Sequence, residues 1–259
     1  MAERIKSINL NMKKITLFCL LFCSVTAFSQ TKSESVKKDS IMSTAKVKVE
    51  IWSDIMCPFC YIGKRHFEEA LKQIENSKDI EVIWHSFQLD PNLPKPASKL
   101  NAYQYLAERK GISYENSVSM HENVVQMAKN AGLDYHFEKA VVANSFDAHR
   151  LIQFAKTKGL GDEAEERLFK AYFTEGKNMC DAATLLQLAK EIGLDEKQAN
   201  EVINSDAYAT EVKKDIEEAY KIGVTGVPFF VFNRKYVVSG AQPASTFYGA
   251  LKNSLGEAK

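Results

Sequence analysis

KVKVEIWSDIMCPFCYIGKRHFEEAL, residues 46–71, decides how the rest of the chain is read. From Lys46 to Trp52 charged and apolar residues alternate, with Val47, Val49 and Ile51 on one side, which predicts a strand with one buried face. Cys57 follows after a short loop. From Pro58 the period changes to that of a helix directing Ile62, Phe67, Ala70, Leu71 and Ile74 toward a core. Pro58 suits the first helical position, because the N–H it lacks would have no partner there.

Cys57 and Cys60 are separated by two residues, a spacing that serves a redox pair, half a metal site or a structural disulfide. In a first helical turn the two sulfurs can face the same way and bond, and each can resolve the other. At the helix start, unpaired N–H groups and the positive helix end favour a thiolate at Cys57, the nucleophilic form. Cys60, one turn in and flanked by Phe59, Tyr61 and Ile62, suits a buried resolving thiol. A structural zinc would need a second closely spaced pair; Cys180, His66, His85, His121, His136 and His149 are scattered, so no metal is expected. The strand before the pair and the helix opening on it favour redox chemistry over a structural bridge.

Outward from this stretch, Ile80 to Phe87 reads as a second strand and Asp90 to Pro96 as a loop. From Lys99 to Tyr220 the patterns are helical: Ala102–Lys110, Asn116–Asn130, Phe137–Lys158, Asp162–Phe173, Asp181–Glu191 and Asp195–Asn204. Gly111, Gly132, Gly159 and Gly193 stand where helices end. A helix over Ala207–Lys221 precedes two β-type runs, Phe229–Phe232 and Tyr236–Val238, joined through Asn233, Arg234 and Lys235 as in a tight hairpin. Pro243 to Leu255 closes the chain as a helix. The expected fold class is α/β: a small mixed sheet covered by helices, divided as 45–96 and 206–259, with a helical subdomain over 97–205 inserted between them.

The 259 residues are 45% apolar and 26% charged, enough to bury a full core without disulfides or metal. With 34 basic and 33 acidic residues and no long like-charge block, nothing points to nucleic acid or a membrane surface as partner. Residues 1–29 have the layout of a secretory signal peptide: Lys13 and Lys14, an apolar run from Ile15 to Val25, then small residues, with cleavage expected after Ser29. The apolar run is too short to span a bilayer comfortably, so no stable membrane insertion of the mature chain is expected, and residues 30–44 read as a polar linker. A lipidated Cys23 is disfavoured by bulky Leu21 and Phe22 before it, and Met1, Met12 and Met42 are alternative starts, the last giving a cytosolic protein. Export leaves a formal charge of −2 and three cysteines, Cys57, Cys60 and Cys180, which allow one intramolecular bridge and one spare thiol.

Five phrases carry a family resemblance: SDIMCPFCYIGK at 53–64, FQLDPNLP at 87–94, NSFDAHRL at 144–151, AYFTEG at 171–176 and GVTGVPFFVFNRKYVVSGAQP at 223–243. They span about 190 residues in family order and resemble the thioredoxin-like DsbA family, most closely its FrnE-like branch of dithiol–disulfide oxidoreductases and isomerases. The resemblance implies a thioredoxin fold with inserted helices, Cys57 as attacking and Cys60 as resolving thiol, and Pro228 as a cis-proline beside their redox-active disulfide, with no other cofactor. It further implies protein or peptide thiols and disulfides as substrates at Phe59, Val227 and Pro228 and a separate redox partner; the signal-peptide layout of residues 1–29 adds the expectation of an exported, periplasmic setting. The dipeptide between the cysteines is Pro-Phe here, where this branch usually has Pro-Trp and the strong oxidants Pro-His, so a less oxidising couple is expected. The phrases also resemble hydroxychromene-carboxylate isomerases and kappa-class glutathione transferases, which typically carry a serine in place of the pair; a glutathione-dependent reaction is the alternative, and a binding or chaperone-like module with a structural disulfide is the other.

Asp54 could influence the helix start, Pro58 and His149 could tune the pair, and Trp52, Phe59 and Phe229 could line an apolar groove, although aromatic residues on strands are core by default. A buried, inert thiol is the default for Cys180; exposed, it would be a third redox thiol or join a second molecule in a homodimer.

Overall fold

The computed structural model of the chain describes residues 47–257 apart from 76 and 96. The signal-peptide and linker expectations, with Cys19 and Cys23, lie outside the described residues. Strand β1 (Val47–Ser53) leads through a four-residue loop into helix α1 (Pro58–Lys72), and β2 (Ile80–Ser86) pairs with β1 in parallel. Helices α2 (Ala102–Lys110), α3 (Tyr114–Asn130), α4 (Phe146–Lys156), α5 (Gly161–Phe173), α6 (Ala182–Glu191), α7 (Glu196–Ile203) and α8 (Ala209–Lys221) follow. The chain then returns to the sheet as β3 (Phe229–Phe232) and β4 (Tyr236–Ser239) and ends in α9 (Ala244–Glu257). The sheet order is β2-β1-β3-β4, with β1–β3 and β3–β4 antiparallel, so the expected mixed sheet is present.

Alternation along β1 distributes its side chains between two cores. Val47, Val49 and Ile51 face α1 and α9, where Phe67, Phe230, Phe232 and Phe247 pack edge-on or tilted. Trp52 points the other way, under α8, with Phe87, Ala219, Val224 and Val231. Its ring stacks on His85 at 4.4 Å and its indole N–H donates to the Asp215 carbonyl at 3.0 Å. Trp52 therefore belongs to the core of the sheet and does not line a groove at the thiols.

The hairpin between β3 and β4 turns through Asn233 and Arg234 at φ 49° and 56°, the left-handed pair that a primed two-residue turn demands. A non-glycine residue resists that conformation. Arg234 is held in it by Glu50 on the adjacent β1 and by Glu218 at 2.7 Å.

One helix departs from its sequence pattern. The expected helix from Phe137 to Lys158 begins only at Phe146; the segment before it opens with a turn over 137–139 and then leaves helical geometry, with Val141 bridging Asn101 and the Val142 carbonyl accepting from Ser98 at 2.8 Å. The Asn144 side chain starts the helix by accepting the Phe146 N–H at 2.9 Å. Its amide donates to the carbonyls of Leu93 and Pro91 at 2.8 and 3.2 Å, so the loop after β2 competes successfully for residues 137–145.

Helix α1 is shared between the sheet and the inserted helices. Phe67 and Ala70 join the sheet core, whereas Cys57, Cys60, Tyr61 and Ile62 join the core built by α3 to α7. Polar side chains along the same seam fix α1 to α5: the buried Lys64 ammonium meets Glu68, and also Asp162 and Glu166 at 3.2 and 3.1 Å. Tyr61 donates to Glu166 at 2.6 Å, and Arg65 pairs with the same carboxylate. Burial opposes ionisation of Glu166, but the hydrogen bonds from Arg65 and Tyr61 and the Lys64 charge hold its carboxyl down to about 2.

Candidate active site

Cys57 is the N-cap of α1, with extended backbone (φ −90°, ψ 112°), and Pro58 is the first helical residue. The loop before it is a tight turn in which Cys57 N–H donates to the Asp54 carbonyl at 2.9 Å and Cys60 N–H to the Cys57 carbonyl at 3.0 Å. No side chain caps α1, so its first N–H groups have no side-chain acceptor. Cys57 and Cys60 carry free thiols. Cys57 Sγ donates to the Val227 carbonyl at 3.3 Å, across 170 residues of chain.

The Val227–Pro228 peptide bond is cis. Its loop is fixed from both sides: Gly240 N–H donates to the Pro228 carbonyl at 2.8 Å, and the proline ring lies against Gly63 of α1. A Cβ on Gly63 would stand 3.0 Å from Pro228 Cγ, so glycine is what lets the helix approach this loop.

Cys60 is sealed at 1% exposure, and its thiol is pushed well up, by burial first and then by the neighbouring Cys57 sulfur. The resulting asymmetry is plain: Cys57 has an open acceptor and a route outward, and Cys60 is held as a neutral thiol.

That route is a cleft of about 360 Å³ between the cysteine loop, the segment after β2, and helices α2 and α3. Met56, Cys57, Phe59, Leu93, Leu106 and Val124 supply its apolar lining. Phe59, at 38% exposure, stands at its rim. Among its polar lining residues Arg109 donates to the Leu89 carbonyl and pairs with Asp90, which also accepts from Tyr105 at 2.8 Å, and Lys110 contributes an exposed ammonium. The rest of its lining is mainly apolar.

Asp54 does not cap α1. Its buried carboxylate accepts Met56 N–H at 3.2 Å and Leu89 N–H at 2.8 Å, joining the cysteine loop to the strand-exit segment that forms the cleft wall. His149, fully buried on α4, places Nε2 3.4 Å from Asp54 Oδ1, close enough for charge attraction but outside hydrogen-bond alignment. Phe229 packs with the Trp52 core and is not among the cleft residues. Cys180 is half-buried, donates to the Asn144 carbonyl at 3.2 Å and does not line the cleft.

Two residues escaped the sequence reading. Tyr135, in the loop after α3, donates its hydroxyl to the Pro58 carbonyl at 2.8 Å and stacks with Phe173, so the helical insertion grips the first turn of α1 directly. Burial, then the sulfurs of Cys57 and Cys60, push its phenol well up, keeping it a donor. The other is Glu165 of α5, buried at 1% exposure with neither carboxyl oxygen hydrogen-bonded. A tyrosine after a helix-ending Gly-Leu-Asp and a lone glutamate in an amphipathic helix carry no local signal of such roles.

Comparison with known proteins sets this geometry among relatives. The DSBA-like thioredoxin domain profile matches residues 48–252. The protein YwbO of Bacillus subtilis (strain 168) is 30% identical over 210 residues, covering 80% of this chain and 96% of its own. The crystal structure of a probable DsbA oxidoreductase from Streptomyces coelicolor is 38% identical, with a TM-score of 0.78 over 82% of this chain and 91% of that one. The cytosolic disulfide reductase DsbM of Pseudomonas aeruginosa shares the fold at 16% identity, with a TM-score of 0.57 over 81% of this chain and 99% of that one.

Proposed function

The chain belongs to the DSBA-like thioredoxin domain family, and on that premise we propose that it is a thiol–disulfide oxidoreductase acting on protein or peptide disulfides through Cys57 and Cys60. The observation that carries the reading is the pairing of an N-cap thiol beside the Val227 carbonyl with a second, sealed thiol three residues on. When Cys57 ionises, the positive N-terminal end of α1, which no side chain caps, favours its thiolate. In the oxidising direction a client thiolate attacks Cys57 Sγ of the Cys57–Cys60 disulfide and Cys60 leaves. A second client thiolate then attacks the client sulfur of the mixed disulfide, releasing the client disulfide and Cys57 as a thiolate. Electrons pass from client to protein, and a separate redox partner takes them on.

The largely apolar lining of the cleft favours a peptide client. An apolar side chain next to the reacting cysteine suits the wall of Met56, Leu93, Leu106 and Val124. With Phe59 between the cysteines, the couple is less oxidising than those carrying histidine there. Lys13, Lys14 and the following apolar run support work outside the cytosol, and N-terminal sequencing of the protein purified from its native host checks this: a chain retaining residues 1–29 refutes it.

Replacement of Cys60 with serine tests the reaction. The variant should accumulate client proteins joined to Cys57 and released by dithiothreitol. A folded C60S protein that forms no such adduct, with wild-type protein inactive on reduced or scrambled substrates, rejects the assignment.

A further inference from the structure

Tyr135 reaches the cysteine turn from the helical insertion. Its hydroxyl donates to the Pro58 carbonyl at 2.8 Å, and its ring is fixed by Phe173, stacked at 4.5 Å, and by Phe137, edge-on at 5.7 Å. Burial, then the Cys57 and Cys60 sulfurs, push the phenol well up, so the hydroxyl keeps the proton it donates.

The carbonyl that Tyr135 engages belongs to the peptide group whose N–H is that of Phe59. In the first turn of α1 this N–H stands apart. Cys57 N–H donates to the Asp54 carbonyl, Pro58 has no N–H, and Cys60 N–H donates to the Cys57 carbonyl at 3.0 Å. No side chain caps the helix, so among the described residues the Phe59 N–H is left without an acceptor. It lies two positions after Cys57, the N-cap, and an N-cap side chain faces the N–H groups two and three positions on.

As a thiol, Cys57 donates to the Val227 carbonyl at 3.3 Å. A thiolate has no proton to give, so ionisation ends that bond and leaves the sulfur in need of a donor. A hydrogen bond accepted at an amide oxygen polarises the whole peptide group and strengthens the bond its N–H makes, by about 10–30%. We infer that Tyr135 is a positioning residue of the Cys57 thiolate: its hydroxyl, the Pro58–Phe59 peptide group and the Cys57 sulfur form one hydrogen-bonded chain, through which the helical insertion sets how readily the cysteine pair is reduced. The inference rests on the oxidoreductase reading above.

The chain acts on one redox state only. In the disulfide neither sulfur is charged, and the Phe59 N–H meets no anion. When two glutathione thiols open the Cys57–Cys60 bond, they become glutathione disulfide and the bond takes their two electrons. Cys60 keeps one of their protons, and the other goes to solvent where Cys57 remains a thiolate. The Phe59 N–H then faces a charge, and the Tyr135 hydroxyl strengthens it. Removing the hydroxyl therefore weakens the reduced state relative to the disulfide.

The test compares the full wild-type chain with Tyr135→Phe, which keeps the ring and loses the hydroxyl. In glutathione buffers at pH 7 the equilibrium constant for reduction of the Cys57–Cys60 bond should be roughly 2–4-fold lower in Y135F. Alkylation of reduced Cys57 by iodoacetamide, read by peptide mass across pH 4 to 9, should move to higher pH in the variant. A role confined to packing lowers the melting temperature of both redox forms and moves neither readout. An unchanged equilibrium constant with an unchanged alkylation profile overturns the chain and leaves the oxidoreductase reading standing. A wild-type pair that does not exchange with glutathione overturns both. Wild type alone decides the matter if Y135F does not fold: in NMR spectra of the reduced protein the Phe59 amide proton and the Pro58 carbonyl carbon should shift together through the Cys57 transition, and signals that stay in place overturn the inference.

Discussion

Glu165 makes the stability of the protein depend on pH in a direction opposite to that of most acids. Its carboxyl is pushed up to about 8 in the folded state from an ordinary 4.5, so between those limits the folded protein holds a proton that the unfolded chain has released. The unfolded state then binds fewer protons, and stability falls as pH rises, by about 1.4 kcal/mol per pH unit from this one group. Its contribution is fully present below about pH 4.5 and is lost as pH climbs through 8. Between pH 5 and 8 the accumulated loss is about 4 kcal/mol, a large part of the 5–15 kcal/mol typical of a folded domain. Glu165→Gln removes the titration and keeps the shape, so its stability relative to wild type should rise steadily over that range, reaching about 4 kcal/mol more at pH 8 than at pH 5. Urea unfolding of both proteins in the same redox state, at pH 5, 6, 7 and 8, measures this. The difference between the two cancels every other titrating group. A difference that stays constant across the range would falsify the claim that Glu165 is buried as an uncharged acid.

Gly176 has φ +65°, and a Cβ there would stand 2.6 Å from the Lys139 carbonyl oxygen; Gly176→Ala should cost about 2–4 kcal/mol and lower the melting temperature by roughly 5–15 °C, and an unchanged transition would contradict the packing of these loops. Val124→Trp adds bulk to the cleft lining, so kcat/KM for peptides with an apolar residue beside the cysteine should fall roughly 10-fold or more while the reaction with 2-mercaptoethanol is unchanged; equal losses on both substrates argue against the cleft as client site. Asp54→Ala strips the acceptor from Met56 N–H and Leu89 N–H, and chemical denaturation should show a loss of roughly 2–4 kcal/mol, where a loss near zero means the carboxylate does not hold the loop.

The strand, the cysteine loop and the helix after it were legible because each obeys a local rule: alternation from Val47, proline at the first helical position, and a period of 3.6 carrying Ile62 to Ile74. The hairpin through Asn233 and Arg234 was legible for the same reason, since the turn chemistry lies within four residues. Residues 137–145 failed because apolar spacing fitted a helix while the deciding contacts came from Asn101, Ser98 and the Leu93 carbonyl, 36 or more positions away in chain. Trp52 follows the default for strand aromatics and sits in the core; alternation tells which residues share a face and leaves open which face meets the thiols. Tyr135 and Glu165 were invisible since their roles depend on what α1 presents to them, and no window of sequence contains both partners.

The same point bears on how two thiols in one turn come to differ. Exposure does not separate them, with Cys57 at 3% and Cys60 at 1%, and both belong to the core built with the inserted helices. The difference comes from distant chain: the Val227 carbonyl and the cleft walls give Cys57 an acceptor and an approach, and Cys60 lies in the core shared with the inserted helices. Tyr135 holds the Pro58 carbonyl in the turn that spaces the sulfurs. The helices between β2 and β3 are thus not an accessory that could be trimmed to leave a smaller dithiol protein. Without them α1 would expose Cys60, Tyr61 and Ile62 to water, losing both the apolar burial that anchors the helix and the environment that keeps the second thiol neutral. A sheet, a helix and a C-x-x-C would remain, with nothing to make one cysteine attack and the other wait.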